Sequence, residues 1–145
     1  MCHELVLSTQ TNLDLTQFNT NLLEFSKDLP ESPFVEKLNH SEKWYVGSRT
    51  GCSCGFRHLT HPELGFGPPV AWDPESDEDI AATLEFLKVV HHLTALGAAV
   101  DCVDYWSTSP IADYQVLKVD LHQQPGDHFR FFENHHFIFE HCDPM

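Results

Sequence analysis

Basic side chains are scarce in this chain, and their scarcity excludes one group of partners. Eight Lys and Arg stand against 22 Asp and Glu, so the formal net charge at neutral pH is −14. A surface of that charge repels the phosphates of nucleic acids and the headgroups of anionic membranes. We therefore expect neither a nucleic-acid partner nor a membrane partner.

Long apolar runs are also missing. No run approaches the ~20 residues that a helix needs to span a bilayer, and residues 1–8 lack the basic start and the apolar stretch of a signal peptide. The cysteines are odd in number and scattered, which does not suggest a disulfide framework; they are Cys2, Cys52, Cys54, Cys102 and Cys142. We expect a cytoplasmic protein with reduced thiols.

Familiar catalytic motifs are absent as well. The chain has no phosphate-binding loop, no dinucleotide-binding glycine pattern, no Gly-x-Ser-x-Gly elbow and no His-Glu-x-x-His helix. Its 145 residues, 41% of them apolar, are enough for one domain with a substantial core. The sequence thus predicts a single domain over residues 1–145 that follows none of the common nucleotide-binding or hydrolase templates.

Hydrophobic periodicity and turn residues predict an α+β protein. Strands are predicted at residues 3–8, 43–47, 56–59, 98–106, 114–121, 128–132 and 136–140, and helices at residues 12–27, 32–38 and 77–96. The order of the main elements, β-α-β-β-α-β, matches a split βαβ arrangement. We therefore expect a ferredoxin-like core, with an antiparallel sheet, two main helices on one face and C-terminal strands that extend the sheet.

Side-chain spacing adds detail to these elements. In the helix 77–96, His91 falls on the row of inward-facing apolar residues and His92 on the solvent side. Strands 43–47 and 56–59 are expected to form a hairpin with the cysteines near its tip. The predicted helix 12–27 has one apolar stripe, formed by Leu15, Phe18, Leu22 and Phe25. The last two predicted strands carry four phenylalanines that we expect in the core: Phe129, Phe131, Phe137 and Phe139.

The segment from Cys52 to His61 has the highest density of chemically versatile side chains. Thiolates and imidazoles are the preferred ligands of zinc and of other borderline metals. Four of them occur within ten residues, in the order Cys52, Cys54, His58 and His61. We therefore expect these four residues to bind zinc or another divalent metal, although a Cys-x-Cys spacing is tighter than that of a standard zinc finger.

The same segment is poor in acids and is flanked by two arginines. No Asp or Glu occurs between Lys43 and Pro62, and Arg49 and Arg57 lie on either side of the cysteines. A guanidinium fork beside exposed backbone amides suits a carboxylate or a phosphate. This favours a small anionic ligand, and it also allows a thiol enzyme that uses Cys52 and Cys54, because neighbouring cations stabilise a thiolate.

A long irregular connection, residues 60–74, follows the cysteine segment. It contains several prolines and glycines, with Phe66 and Trp72 between them. Such a connection is either a binding loop that covers a site or a stiff surface loop whose aromatic side chains pack into the core. We expect Phe66 and Trp72 to contribute to ligand binding if the first alternative holds.

The C-terminal strands carry a second set of polar side chains. Alternation places His136 and Glu140 on one side of a strand, where they either hold a metal or protect the edge of a sheet; the edge interpretation is favoured. If Cys2-His3 and His141-Cys142 lay on neighbouring strands, they would form another thiol–imidazole cluster.

An entirely different function class fits the same sequence. A protein-interaction or regulatory module without catalysis would also be small, acidic and free of common motifs. It would present a surface for self-association or for a partner, such as an exposed strand edge. The sequence identifies neither a substrate nor a reaction, so the metal- or anion-binding domain and the interaction module are both expectations.

Overall fold

The computed structural model describes residues 3–49, 52–59, 65–72, 74–121 and 128–140, and these residues have a mixed α+β fold. The strands are β1 His3–Thr9, β2 Leu23–Ser26, β3 Glu42–Ser48, β4 His58–Leu59, β5 Val100–Trp106, β6 Gln115–Asp120, β7 Phe131–Phe132 and β8 His135–Glu140. The helices of this part of the chain are α1 Pro33–Glu36 and α2 Asp77–Ala95. None of its helices is long and apolar enough to cross a membrane.

Six strands form one sheet in the order β2-β3-β1-β5-β8-β6. Neighbouring strands are antiparallel except for β6 and β8, which are parallel. The short strands β4 and β7 form a separate parallel pair. The predicted α+β class is confirmed, whereas the finer prediction of a ferredoxin-like core is not.

Alternation along the strands divides the core between the two faces of the sheet. Leu5, Leu7 and Cys102 belong to the cluster that contains the buried side of α2. Val6 and Val103 belong to a second cluster, which contains residues of α1. Because neighbouring residues of a strand point to opposite faces, α1 and α2 cover opposite faces, and the predicted layer of two helices on one face is not confirmed.

The predicted helix over residues 12–27 is wrong. Asp14 caps a short 3-10 turn by accepting the amide of Thr16 at 3.0 Å, and the side chain of Asn19 accepts the amide of Phe25 at 2.7 Å. The chain then continues as β2, in which Leu23 and Phe25 are buried and the residue between them is exposed. Asp and Asn bond readily to nearby backbone amides outside helices, and here those bonds and the pairing with β3 prevail over the helical stripe.

The predicted main helix is confirmed as α2. Ser76 caps it by accepting the amide of Asp79 at 3.1 Å, and the helix ends before Gly97, whose φ is +88°. His92 is exposed, as predicted, but the prediction that His91 faces inward is wrong. His91 lies outside the buried side of the helix. That side consists of Ala82, Thr83, Phe86, Leu87, Val89, Val90 and Leu93.

The predicted hairpin between residues 43–47 and 56–59 is also wrong. β3 pairs with β1 and β2, while β4 pairs with β7. After β3 the chain folds back through a 3-10 turn, Ser53–Gly55, and Ser48 donates its amide to the carbonyl of Cys52 at 2.7 Å. Gly55 is required there, because a Cβ at this position would lie 2.4 Å from Ser48 Oγ.

The C-terminal prediction is confirmed for the phenylalanines, all four of which are buried. The interpretation of His136 and Glu140 as residues that protect a sheet edge is wrong, since β8 lies between β5 and β6 and is therefore an internal strand. The predicted cluster of Cys2-His3 with His141-Cys142 falls largely outside the described residues. Strand β5 separates β1 from β8, and the described ends, His3 and Glu140, lie toward opposite ends of β5.

Candidate metal centre

Two neighbouring strands place a histidine and an aspartate on the α2 face of the sheet. β1 and β5 are antiparallel, with His3 opposite Trp106 and Leu5 opposite Asp104. His3 and Asp104 are therefore diagonal neighbours on the same face, close enough for their side chains to interact. The Asp104 side chain is fully buried, and 16% of the His3 side chain is exposed.

His58 reaches the same place from β4. The preceding residue, Arg57, donates its amide to Thr83 Oγ1 of α2 at 2.9 Å, and its carbonyl accepts the amide of Phe131 at 2.8 Å. These bonds fix the backbone beside His58 between the helix and β7. The His58 ring then stacks on the His3 ring, with centroids 3.9 Å apart and planes 4° from parallel.

The Asp104 carboxylate lies beside the Nδ1 edges of both imidazoles. Its Oδ2 is 2.9 Å from His58 Nδ1, and its Oδ1 is 3.8 Å from His3 Nδ1. Of the described residues, only His3, His58 and Asp104 form a group of three or more potential metal-ligand atoms within 4.8 Å of one another. Both His3 Nδ1 and Asp104 Oδ1 are buried and have no hydrogen-bond partner.

The second nitrogen of His58 determines its tautomer. Nε2 contacts the backbone carbonyl of Ser53, and a carbonyl only accepts, so Nε2 carries a proton. The Ser53 hydroxyl in turn donates to the carbonyl of Val46 at 2.6 Å and accepts the amide of Leu5 at 2.9 Å, which holds the turn against β1 and β3. Nδ1 of His58 therefore faces a carboxylate and must bind either a second proton or a metal ion.

The pKa values of the two histidines diverge. Burial, followed by the nearby His58, lowers the pKa of His3 to about 4. Burial alone would lower the pKa of His58 too, but the charge and hydrogen bond of Asp104, with the Ser53 carbonyl, raise it above its ordinary value. At neutral pH His3 thus offers a free lone pair, and the proton that a metal ion would displace is the one on His58 Nδ1 that faces Asp104.

The predicted ligand set is only partly brought together. His58 belongs to the cluster, whereas His61 lies outside the described residues. Cys52 is partly buried and Cys54 exposed, and neither belongs to the ligand group found in the described part of the chain.

Cys52, Cys54 and Cys102 are thiols, as predicted. Burial raises the pKa of the Cys102 thiol well above its ordinary value, so this thiol is not an activated nucleophile.

The two arginines expected to receive an anion already face carboxylates at the start of α2. Arg57 is buried and contacts Glu75 through Nε at 2.5 Å, and Arg49 contacts Asp79 at 2.9 Å. Arg57 also donates to the carbonyl of Gly67 at 2.8 Å, which fastens the irregular connection to the helix. A small anion would have to compete with these carboxylates.

The two aromatic residues of the irregular connection have different environments. Phe66 stacks on Phe129 and Phe132, with centroids 5.3 and 5.2 Å apart, and belongs to the edge of the core. Trp72 is 64% exposed. Phe66 therefore packs against the core, as the surface-loop alternative predicts for both aromatic residues, whereas the Trp72 side chain is mostly exposed.

A second buried polar network lies on the opposite face of the sheet. Asp101 accepts hydrogen bonds from the Ser8 hydroxyl, from the Asn39 amide at 2.9 Å and from His136 Nε2 at 2.5 Å. Tyr114 donates its hydroxyl to His136 Nδ1 at 2.6 Å. Every one of these side chains has a partner, in contrast to the cluster around Asp104.

Sequence reasoning missed Asp104 as a site residue, and it considered His3 only for a different cluster, with Cys2, His141 and Cys142. The available signal was a pair of aspartates inside an otherwise apolar strand, at positions 101 and 104, because a buried carboxylate requires compensation by a cation or by hydrogen bonds. The register between β1 and β5, which brings His3 to Asp104, is not visible in either strand alone. No protein-family model, curated protein or solved structure significantly matches the chain.

Proposed function

We propose that this protein binds one divalent transition-metal ion, zinc in the first instance, through His3, His58 and Asp104. The observation that carries the proposal is the pair of buried polar atoms without partners, His3 Nδ1 and Asp104 Oδ1, which face each other 3.8 Å apart. Leaving such atoms unsatisfied is costly. A cation between them would satisfy both.

The distances are within about half an ångström of those in a zinc site, and the stacked His3 and His58 rings would have to turn for both Nδ1 lone pairs to meet one ion. Nitrogen and oxygen ligands lie about 2.0–2.2 Å from zinc, so two ligands of a tetrahedral ion are about 3.3–3.6 Å apart. The separations of Asp104 from His58 and from His3, 2.9 and 3.8 Å, lie on either side of that value. The bond from His58 Nε2 to a backbone carbonyl is the usual outer contact that orients a metal-binding imidazole.

Three protein ligands leave one position of a tetrahedral ion for water or for a fourth ligand. Two histidines and a carboxylate with such a position are the ligand set of hydrolytic zinc sites, where the metal lowers the pKa of its bound water. The proposal therefore includes water activation as the chemistry that this ligand set provides. Cys52 and Cys54 are not among the proposed ligands.

Metal content is the first test of the proposal. Untagged protein, purified without a metal-affinity resin, is stripped with a chelator and reloaded with Zn²⁺ or Co²⁺. We expect one equivalent of metal in the wild type, in the Cys52→Ser/Cys54→Ser variant and in the control His91→Ala, which changes an exposed histidine of α2. His58→Ala should retain none.

The same experiment can contradict the proposal in two ways. A wild type that takes up no metal removes the site altogether. Loss of metal in the double serine variant, or a strong thiolate charge-transfer band with Co²⁺, returns the ligands to Cys52 and Cys54. In either case the proposed site of His3, His58 and Asp104 with an open position is wrong.

Metal binding should weaken as the pH falls, because one proton competes with the metal ion for the site. His58 must release the proton on Nδ1, and its pKa is raised, so protons compete below that pKa and not above it. His3, with a pKa of about 4, remains neutral and adds no competition near neutral pH. Below the His58 pKa the apparent Kd should rise about tenfold per pH unit.

This pH dependence is measured by competition with a chelator of known affinity at a series of pH values. A slope of one, with release of one proton on binding, is the expected result. A flat profile down to the pKa of an ordinary histidine would mean that His58 Nδ1 is not a ligand. A slope of two would mean that His3 also carries a proton in the metal-free protein.

A further inference from the structure

A cleft lies on the face of the sheet opposite α2, away from the proposed metal centre. It has two parts, of about 380 and 210 Å³, which share Glu4 and Pro30 in their walls. Glu4 follows His3 in β1 but points to the other face, because side chains alternate along a strand. The cleft therefore belongs to a different region of the surface.

Carboxylates and hydroxyls dominate the walls of this cleft. Four acids line it, and no lysine, arginine or histidine does so among the described residues; the acids are Glu4, Glu24, Asp28 and Glu31. The nearest basic residue in sequence, Lys27, is directed elsewhere, with its ammonium 3.0 Å from Glu42 and over the ring of Trp44. Because none of the described residues in its walls is a cation, the cleft favours a cationic ligand.

The arrangement of these carboxylates does not suit a single metal ion. Calcium requires several oxygen ligands around one point. The described residues bring no group of three potential ligand atoms together in this cleft, since their only such group is His3, His58 and Asp104. Separated negative charges match a ligand whose positive charges are also separated.

The hydroxyl of Tyr105 is an independent indication of a ligand. Tyr105 lines the smaller part of the cleft and is only 2% exposed. Its Oη is buried and makes no hydrogen bond of normal geometry. Burial raises the pKa of the phenol, and the nearby Ser32 hydroxyl offsets only part of that rise. A buried hydroxyl of this kind is stabilised when a donor from outside the chain reaches it.

We propose that the cleft binds a linear organic polycation, in which ammonium groups are separated by short methylene chains. Glu4, which both parts share, would bind the central ammonium group, and the carboxylates of each part would bind the ends. An ammonium or amine N–H would donate to Tyr105 Oη. Leu29 and Pro30 supply the apolar wall for the methylene chain. Free polyamines and lysine-rich peptides share this chemistry.

The test is a calorimetric titration of the full chain with spermidine at low ionic strength. We expect one saturable site that weakens as salt is added. Glu4→Gln, which preserves shape and removes a charge, should raise the Kd at least about tenfold. Tyr105→Phe, which removes only the hydroxyl, should raise it about tenfold. Glu36→Gln is the matched control, because Glu36 is exposed on α1 and does not line the cleft.

The outcomes separate the proposal from general electrostatic attraction. If Glu36→Gln weakens binding as much as Glu4→Gln does, or if Mg²⁺ displaces spermidine at equal concentration, the attraction is unspecific and the proposal is overturned. Absence of saturable binding also overturns it. A trilysine peptide that binds more tightly than spermidine supports the cleft and assigns it to peptide lysines; the reverse order assigns it to free polyamines.

Folding and the proposed metal centre are monitored in the same variants. Glu4→Gln and Tyr105→Phe should keep the unfolding midpoint and the zinc stoichiometry of the wild type. A variant that loses spermidine binding together with its folded structure is replaced by Tyr45→Phe, another hydroxyl of the cleft wall. If that folded variant binds spermidine as the wild type does while Glu4→Gln has no selective effect, the proposal fails.

Discussion

Replacement of Asp104 by alanine should weaken zinc binding at least about 100-fold and leave the metal-free protein folded. Asp104 is the residue that contacts both imidazoles of the proposed centre. Loss of a contact that merely supports a ligand already costs about 10–100-fold in metal affinity, so loss of this ligand should cost at least about 100-fold. That ratio corresponds to about 2.7 kcal/mol or more of binding free energy.

Two measurements check this prediction. The first is the apparent Kd for zinc; the second is the unfolding midpoint with and without zinc, because a ligand that binds only the folded state stabilises it by about 2.7 kcal/mol at 100 times its Kd. Wild type and the control Asp113→Asn, an exposed residue outside the cluster, should gain this stability. If Asp104→Ala gains it as well, Asp104 is not a ligand.

Replacement of Asp101 by alanine should have the opposite profile, with a large loss of stability and intact zinc binding. The carboxylate is fully buried and accepts from Ser8, Asn39 and His136. Each donor left without an acceptor costs about 1–3 kcal/mol, so the free energy of unfolding should fall by about 3–5 kcal/mol. This is a large fraction of the ~5–15 kcal/mol of a typical domain.

Denaturant unfolding of a short series tests the explanation. Asp101→Asn keeps one acceptor and should cost less than Asp101→Ala. Tyr114→Phe removes the last hydrogen bond of the network and should cost about 1 kcal/mol. Asp113→Ala, at an exposed position, should lie within about 0.5 kcal/mol of the wild type. A loss for Asp101→Ala no larger than that for Tyr114→Phe would show that the donors find other partners.

The contrast between these two aspartates has a physical origin. Both interrupt the same apolar strand and both are fully buried. Both oxygens of Asp101 are bonded, whereas Oδ1 of Asp104 has no partner and faces a histidine nitrogen that has none either. A carboxylate with all its hydrogen bonds holds strands and loops together. A carboxylate without them destabilises the folded state, and a bound cation would offset that loss.

Much of the secondary structure was predictable from local sequence. The strand at the start of the chain, the capped helix α2 and the buried phenylalanines near the end follow from periodicity and capping, which depend on residues close together in the chain. The segment 12–27 shows where such reasoning fails. Its stripe suits a helix, but the pairing of Leu23–Ser26 with β3 is a tertiary interaction that outweighs a weak local preference.

Composition and local pattern are enough to identify an acidic α+β chain, and they single out one member of the candidate site, His58. The other two members depend on tertiary structure. His3 and Asp104 are about a hundred residues apart in the chain, and the antiparallel register of β1 and β5 brings them together. In that register the strands bury apolar side chains on both faces of the sheet, with α2 on one face and α1 on the other. A one-residue shift of the pairing would turn every side chain of β1 to the other face, so the site exists only once the whole sheet has formed.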